Sequence, residues 1–492
     1  MVPVRARGLT IEAADGRRYL DCLSGAGTLA LGHNHPVVLE AIRRVIDSGA
    51  PLDALGLDTP VREAFTAELL ACLPAPLARD GRIRFCGPAG ADAVAEAVAL
   101  ARRASGRPDL IVHGAPAYPG AGDGPPVTGP DGPARAQGPR AGEPTGGRTL
   151  RLPHPREVRC AFGTGGPRGA GLAARWTEEV LDGRAGPATA PAAVLLEPVR
   201  CEAGVHPAPD PWTRRLRELT RARGIALIAD ETRTGVGRTG AFWGVDHAGV
   251  VPDVMVLSRA LGGSLPLSVV VHHADLDPGP ETGAPAGFPG NQLAMAAGTA
   301  TLAHVRTHRL AERAAALGAR MLEEIRGLAA RHTCVGEVRG RGLMIGLEIV
   351  DPERAAGEPE HPTTAGTPAV PRPAAPGDRP ARTVPQSPPD RAHVSDRARD
   401  AGPARPPWPF TAPGPAPSRR IAPAAPALAA EIRSACLDRG LILGLGGPHG
   451  EVVRLLPPLT LTDGQADAVL ERLADAVAAA ERNRLHRPRT PR

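Results

Sequence analysis

Short runs of apolar residues alternate with amphipathic segments through the middle of the chain. The runs at 193–196, 225–229, 254–257 and 268–271 have the length of buried strands, and residues 211–223 have the pattern of an amphipathic helix. Strands that are apolar throughout and separated by helices are typical of a mainly parallel sheet covered on both faces. The pattern therefore predicts an α/β fold, in which ligands bind beyond the carboxyl ends of the strands.

The amino-acid composition changes outside these segments. Residues from about 119 to 148 are rich in Gly and Pro and predict a loop. Residues 351–424 are rich in Pro, Ala, Arg and Asp, with almost no apolar periodicity. Such a stretch cannot bury enough surface to offset the entropy of ordering it, so we interpret it as a disordered insertion or an extended tether. Residues 425–482 resume a folded pattern of helix, strand, strand and helix, and a basic, solvated tail is predicted at 483–492.

The 492 residues suffice for two or three domains and one large core. All 58 basic side chains are arginine, and the chain contains no lysine. No lysine Schiff base, lysine base or phosphate-binding lysine can therefore exist in it. The formal net charge is +6, but with 4 Trp, 2 Tyr and 6 Phe the basic residues lack the aromatic partners of a nucleic-acid surface. We expect no nucleic-acid partner.

The seven cysteines are odd in number and widely spaced, with no CxxC pair. This spacing predicts neither a zinc site nor a disulfide scaffold, and it favours a reducing, cytoplasmic environment. The first residues lack the apolar stretch of a signal peptide. No run of about 18 apolar residues occurs, so no membrane span is expected.

Two features suggest a ligand site. A strand-like segment at 83–86 leads through a glycine turn at 87–91 into a helix from about Asp92 to Ser105, and such a turn presents free N–H groups to a phosphate. A tight packing turn is the alternative. Asp230 ends a buried strand, where an unpaired carboxylate is costly. A protonated pyridine nitrogen would be a suitable partner, and a helix cap or an arginine pair is the alternative.

Longer motifs give Asp230 a context. Residues 230–240 read Asp-Glu-Thr-Arg-Thr-Gly-Val-Gly-Arg-Thr-Gly, and residues 252–263 read Pro-Asp-Val-Met-Val-Leu-Ser-Arg-Ala-Leu-Gly-Gly. Together they resemble the signature of the class III (subgroup II, ornithine-aminotransferase-like) aminotransferases, which depend on pyridoxal 5'-phosphate (PLP). The sequence of residues 21–36, together with Gly87-Pro88 and residues 453–459, looks most like the corresponding sequences of the diaminobutyrate–2-oxoglutarate aminotransferases.

The resemblance implies the PLP-dependent transferase fold of type I. This fold has a large domain, whose mostly parallel sheet is covered by helices, and a small α+β domain built from both ends of the chain. The implied division is an N-terminal segment of the small domain at 1–55, the large domain at 56–310, the C-terminal part of the small domain at 311–350 and 425–482, the insertion at 351–424 and the tail at 483–492.

The resemblance also implies which residues bind the cofactor. At the matching positions, Asp230 would bind the pyridinium nitrogen, and Gly90 and Ala91 would donate N–H groups to the phosphate. Tyr118, one of only 2 tyrosines, would stack on the ring. Arg233 and Gly287 stand at two further cofactor-binding positions, where the family usually has Gln near the phenolic oxygen and Thr near the neighbouring subunit's phosphate.

Two further positions concern the substrate. Arg454 matches the arginine that binds the α-carboxylate of 2-oxoglutarate, for which a guanidinium offers a bidentate fork. Glu202 matches the glutamate that pairs with that arginine in the first half-reaction. The resemblance thus implies transfer of an amino group between a diamino acid such as 2,4-diaminobutyrate and 2-oxoglutarate or glutamate, within a dimer.

Arg259 stands where the family has the lysine that binds PLP covalently. A guanidinium has a pKa above about 12 and no free lone pair at neutral pH, so it cannot replace that lysine as nucleophile or base. Pro119 and Ala89 also depart from the usual His and Thr. We therefore expect PLP to be non-covalently bound or absent, and catalysis to be impaired.

Three readings follow from these departures. The chain is an aminotransferase of low activity, or a non-catalytic pseudoenzyme that binds ligands and pairs with an active paralogue, or an eroding gene product with no retained role. Its dimer would be a homodimer in the first case and a heterodimer in the second.

Overall fold

The computed structural model describes residues 1–54, 57–113, 147–183, 190–277, 290–353 and 422–485. All of them belong to a single contact unit. Tyr118, Pro119 and Gly287 lie outside the described residues, as do nearly all of the predicted loop at 119–148 and most of the insertion predicted at 351–424.

The described helices are α1 (Pro36–Asp47), α2 (Pro60–Cys72), α3 (Ala75–Asp80), α4 (Gly90–Ser105), α5 (Gly166–Leu181), α6 (Asp210–Arg221), α7 (Gln292–Thr307), α8 (Leu310–Arg331), α9 (Pro426–Asp438) and α10 (Asp463–Leu485). Short 3₁₀ helices lie at Gly244–Ala248, Arg259–Gly262 and Ala274–Leu276.

The described strands are β1 (Pro3–Arg7), β2 (Thr10–Ala13), β3 (Arg18–Asp21), β4 (Gly81–Phe85), β5 (Leu110–His113), β6 (Thr149–Leu152), β7 (Ala193–Leu196), β8 (Val199–Arg200), β9 (His206–Pro207), β10 (Ala226–Asp230), β11 (Val254–Leu257), β12 (Val269–His273), β13 (Val335–Arg341), β14 (Met344–Ile349), β15 (Leu441–Ile442), β16 (Gly444–Gly446) and β17 (Val452–Leu455).

The central sheet has seven strands in the order β4-β12-β11-β10-β7-β5-β6. The pairs from β11 to β6 are parallel, which confirms the predicted, mainly parallel sheet. Strand β12 is antiparallel to both of its neighbours. The chain between Leu257 and Val269 holds only a 3₁₀ helix and turns, and parallel neighbours need a longer crossover, usually an α-helix.

The strands of this sheet are apolar throughout because both faces are buried. Alternate residues of β11 point to opposite sides: Val254 and Val256 join the core beneath α4, whereas Met255 and Leu257 join the larger core that includes residues of α2, α7 and α8. This alternation follows from the two-residue period of a strand. The sheet is thus a rigid layer between two cores, and it fixes the residues at its carboxyl edge.

Three candidate segments meet at that edge. Asp230 is the last residue of β10, and Arg259 follows β11 after Ser258. Strand β4 is antiparallel to β12, which is antiparallel to β11, so β4 ends at the same edge and leads into α4 at Gly90. The sheet order therefore explains why residues far apart in sequence lie together.

The two ends of the chain build two smaller sheets. One has the order β1-β2-β3-β15, and the other has the order β13-β14-β17-β16. The prediction of two strands within 425–482 is wrong, because the structure has three, β15 to β17. The apolar run at 441–446 is divided at Leu443, since β15 pairs with β3 and β16 pairs with β17.

The prediction of a solvated tail at 483–492 is also wrong for its first residues. Helix α10 continues to Leu485. The side chain of Arg484 is 19% exposed, and its guanidinium lies 3.1 Å from Asp351 and 3.7 Å from Glu353. The acidic residues at the start of the predicted insertion thus hold this arginine, and residues 486–492 lie outside the described part of the chain.

Candidate active site

Asp230 offers a buried carboxylate oxygen without a partner. The residue is 3% exposed, and its Oδ1 accepts a 2.9 Å hydrogen bond from the backbone N–H of Thr232. Its Oδ2 is buried and has no hydrogen-bond partner among the residues that the structure describes. Burial raises the pKa of the carboxyl, although the Thr232 bond and the nearby Arg233 and Arg259 charges oppose the shift. Such an atom suits a cationic N–H donor from a ligand.

The start of α4 packs against the same loops. A Cβ on Gly90 would lie 3.2 Å from Cγ2 of Thr232 and 3.5 Å from Cβ of Ser258, so a side chain here would press against the Thr232 methyl group. The Asp92 carboxylate accepts the N–H of Ala89 at 3.1 Å. The first N–H groups of an α-helix have no acceptor within the helix, so those of Gly90 and Ala91 remain for an anion.

Arg259 opens the 3₁₀ helix that follows β11. Its φ of +53° lies in the left-handed region, which is uncommon for a residue with a side chain and often marks a functional site. Its positive charge opposes the burial-driven rise in the pKa of Asp230 and contributes to the lowered pKa of Glu202, so it acts on both acids. The residue predicted at the cofactor-linking position therefore lies among the other candidate residues.

Glu202 joins two arginines. Its Oε1 lies 2.7 Å from Nη1 of Arg233, and its Oε2 lies 2.9 Å from Nη1 of Arg454. Burial would raise the pKa of Glu202, but the Arg233 and Arg454 charges outweigh that effect and lower it. The Glu202 side chain is 42% exposed, whereas those of the arginines are 16% and 7% exposed. A ligand can thus approach the carboxylate from solvent.

Arg454 is held against the backbone of the neighbouring strand. It lies in β17 and is 5% exposed, and its Nη1 is 3.5 Å from Sγ of Cys201. A Cβ on Gly446 would come within 2.7 Å of Arg454 Cδ, so the arginine needs glycine at this position. Its Nε is buried and has no hydrogen-bond partner among the described residues. Arg454 is thus fixed between Gly446, Cys201 and Glu202.

The turn that carries Glu202 is fixed from both sides. Nε of Arg339 donates to the carbonyl of Gly204 at 2.8 Å, and the N–H of Gly447 donates to the carbonyl of Glu202 at 2.9 Å. Val205 has a φ of +57°, a strained value for a β-branched residue, and it is fully buried. These contacts hold the backbone of Glu202 while its carboxylate bridges the two arginines.

The structure brings together most of the predicted site residues. Asp230, Arg259, Gly90 and Ala91 lie at one edge of the sheet, and the pair predicted between Glu202 and Arg454 is present. The resemblance placed Arg233 near the cofactor's phenolic oxygen; the contacts observed for its side chain are to Glu202 and, at 3.4 Å, to the Ala26 carbonyl. Tyr118 and Gly287 lie outside the described residues.

The sequence reasoning missed several supporting residues, namely Thr232, Ser258, Cys201 and Gly446. The Thr232 N–H binds Asp230 two residues away, but the other contacts join segments that are distant in the chain, which no local pattern indicates. Thr232 and Ser258 lie within the motifs at 230–240 and 252–263, and Gly446 lies in the glycine-rich run Gly-Leu-Gly-Gly at 444–447.

The donor set fits PLP in part. The unpartnered Asp230 oxygen suits the ring nitrogen, and the start of α4 suits the phosphate. The covalent link does not fit, because Arg259 offers no primary amine and the chain contains no lysine. Among the described residues, no cluster of potential metal ligands occurs. In the same part of the chain, every helix is too short or too polar to cross a bilayer.

Comparisons with known proteins agree with this geometry. The Aminotransferase class-III family matches residues 1–367. A diaminobutyrate–2-oxoglutarate aminotransferase of Rhizobium meliloti (strain 1021) is 41% identical over 478 residues, covering 96% of this chain and 86% of that protein. A second protein of that name, from Haemophilus influenzae (strain ATCC 51907 / DSM 11121 / KW20 / Rd), is 34% identical and covers 97% and 90%.

A solved structure shares the fold. The PLP-bound amine transaminase from an uncultivated Pseudomonas species has a TM-score of 0.70 at 25% identity, covering 98% of this chain and 95% of that one. Together with the family match, this likeness confirms the predicted PLP-dependent transferase fold and implies PLP as the cofactor of the family. The chain belongs to the class III aminotransferases.

Proposed function

We propose that this chain transfers an amino group between a diamino acid resembling 2,4-diaminobutyrate and 2-oxoglutarate, with PLP held only non-covalently and with turnover far below that of its family. The identity of the relatives supports the substrates, since both are named diaminobutyrate–2-oxoglutarate aminotransferases. The residues of the site support the loss of rate.

One observation carries this proposal: the chain contains no lysine, and the resemblance assigns the position of the family's lysine to Arg259. A guanidinium stays protonated at neutral pH and has no lone pair for condensation with an aldehyde. It therefore supplies neither the covalent anchor nor a base for proton transfer. A positioned general acid–base group contributes about 10²- to 10⁴-fold to a rate, so its loss alone is severe.

Binding does not depend on that amine. Asp230 retains an unpartnered buried oxygen for a ring N–H, and α4 retains its N-terminal donors for a phosphate. Arg454 lies at the position that binds the α-carboxylate of 2-oxoglutarate in the family, and Glu202 is paired with it. These contacts support a site that still recognises a cofactor and a carboxylate.

The test is a visible spectrum of the purified full-length protein with PLP, recorded before and after borohydride, followed by peptide mass spectrometry that locates any adduct. We expect free-PLP-like absorbance and no pyridoxyl group on the peptide that contains residue 259, because its side chain has no amine that forms the imine reduced by borohydride. The Arg259→Lys variant is the positive control. A stoichiometric pyridoxyl adduct at the active site of the wild-type protein would contradict the proposal.

The second candidate is a non-catalytic subunit that pairs with an active paralogue. The Glu202–Arg454 pair favours this candidate, because residues proposed to bind a ligand are present although position 259 has no amine. Ligand binding would then be retained without catalysis. Purification of the tagged protein from its native host tests this candidate. A class III paralogue recovered in equal amount supports a heterodimer, whereas recovery of this chain alone as a homodimer rejects it.

A further inference from the structure

Arg233 and Arg454 share a single carboxylate. The two oxygens of Glu202 are used separately, one at 2.7 Å from Arg233 and the other at 2.9 Å from Arg454. Both guanidinium groups are mostly buried, with 16% and 7% of their side chains exposed, so neither exchanges this contact for bulk water without cost. The Glu202 side chain lies on the solvent side of the pair.

A carboxylate ligand of Arg454 has to compete with Glu202. If Arg454 were the sole partner of Glu202, a ligand that displaced the glutamate would leave a charged group without a partner, which is costly in a partly buried site. Arg233 removes this cost, because Oε1 of Glu202 keeps its 2.7 Å contact when Oε2 is released. The ligand then replaces only the contact between Glu202 and Arg454, and the Glu202 carboxylate stays bound to Arg233.

The charges around the pocket act in the same direction. Arg233, Arg259 and Arg454 all lower the pKa of Glu202, so three cations act on one ionised glutamate. Asp230 and Glu197 are further acids that interact with the Arg233 charge, and burial raises the pKa of each. The three arginines around Glu202 favour an anionic ligand.

We propose that Arg233 is a positioning residue that holds Glu202 aside, so that Arg454 is available to a carboxylate ligand. This inference rests on the proposed function, because it takes Arg454 as the carboxylate-binding residue. It assigns to Arg233 a role that acts through Glu202 rather than through direct contact with the ligand. The ligand class is an alkyl carboxylate, for which glutarate is a suitable probe because it has neither an amine nor a keto group.

The test is isothermal titration of the full-length protein with glutarate in five forms: wild type, Arg233→Gln, Glu202→Gln, the double variant, and Arg331→Gln as the matched control. Arg331 is an exposed arginine at the end of α8, far in sequence from the pocket, and its replacement also removes one positive charge. Thermal melting of each form verifies folding. If Arg233→Gln does not fold, Arg233→Met replaces it, since methionine retains much of the side-chain volume without the charge.

The expected pattern is non-additive. Arg233→Gln weakens glutarate binding about tenfold, the effect of one charge-assisted contact, because Glu202 then binds Arg454 alone. Glu202→Gln strengthens binding about tenfold, because the competing charge is gone. The double variant binds glutarate like Glu202→Gln, within about twofold, and Arg331→Gln binds like the wild type.

Three results would overturn the inference. Arg233→Gln that binds glutarate as tightly as the wild type would show that Arg233 does not control Arg454. Glu202→Gln that gains no affinity would show that Glu202 does not compete. A double variant that remains about tenfold weaker than Glu202→Gln would assign Arg233 a direct effect on the ligand. None of these results concerns the borohydride test, so a failure here is distinct from a failure of the proposed function.

Discussion

The replacement of Arg259 by lysine tests directly whether the missing amine limits catalysis. The backbone at this position has a φ of +53°, and the left-handed conformation costs arginine and lysine about equally. Both side chains carry one positive charge at neutral pH, so the electrostatic effect on Asp230 and Glu202 is retained. The variant therefore adds a primary amine at the end of β11 and changes little else.

The size of the gain follows from what the amine supplies and from what stays altered around it. A general acid–base group is worth about 10²- to 10⁴-fold in rate. Arg233 still binds Glu202 in the variant, and the family's usual residues at 233 and 287 are still absent. We therefore expect a gain near the lower limit, about 10²-fold, and a final rate below the roughly 10 s⁻¹ of a typical enzyme.

The assay measures glutamate formed from 2,4-diaminobutyrate and 2-oxoglutarate with added PLP, together with the pyridoxyl mass after borohydride. Arg259→Gln is the matched control, because it also removes the guanidinium but supplies no amine, and it should gain nothing. The reasoning is refuted if the folded Arg259→Lys protein binds PLP and still forms no reducible link. A wild-type rate equal to that of the lysine variant refutes it as well. Recovery of a full family rate would show that the lysine alone was missing.

Three further predictions concern the same site and its surroundings. Asp230→Asn should weaken PLP binding by about 10- to 100-fold in equilibrium dialysis, because a neutral amide replaces the carboxylate proposed to bind the ring nitrogen; unchanged binding would exclude that contact. Burial raises the pKa of Glu231 from 4.5 to about 7, so the melting temperature should fall as pH rises between these values, and Glu231→Gln should flatten that slope. Gly446→Ala should weaken glutarate binding, because its Cβ would lie 2.7 Å from Arg454 Cδ, whereas Gly327→Ala, with nothing within 4 Å, should not.

The central sheet could be predicted from local sequence because burial on both faces leaves a clear signal. Strands β7 and β11 have the predicted bounds, since each is a short run of apolar residues. The direction of β12 could not be read in this way, because an apolar strand has the same composition whether it is parallel or antiparallel. Direction depends on the length of the connection and on the pairing partner, and these are tertiary properties.

The candidate site residues that could be predicted are those at the boundary of a recognisable strand or helix. Asp230 ends a buried strand and Gly90 begins a helix, so both positions carry a local signal. The bridge from Arg233 through Glu202 to Arg454 carries none, because it joins three segments that are separated by up to 252 positions. A prediction from sequence names such residues individually but does not show that two arginines share one carboxylate.

Chemistry and recognition depend on different residues in this site, and the two need not be lost together. The resemblance assigns the chemistry to a lysine amine, and the chain contains no lysine. In the proposed function, recognition of a carboxylate depends on Arg454, which packs against Gly446, and on Glu202, whose turn is held by the Arg339 and Gly447 contacts. None of these contacts involves position 259. Loss of catalysis therefore need not abolish ligand binding on this fold. Glutarate binding and the transamination rate, both measured on the wild-type protein, determine which of the two functions it retains.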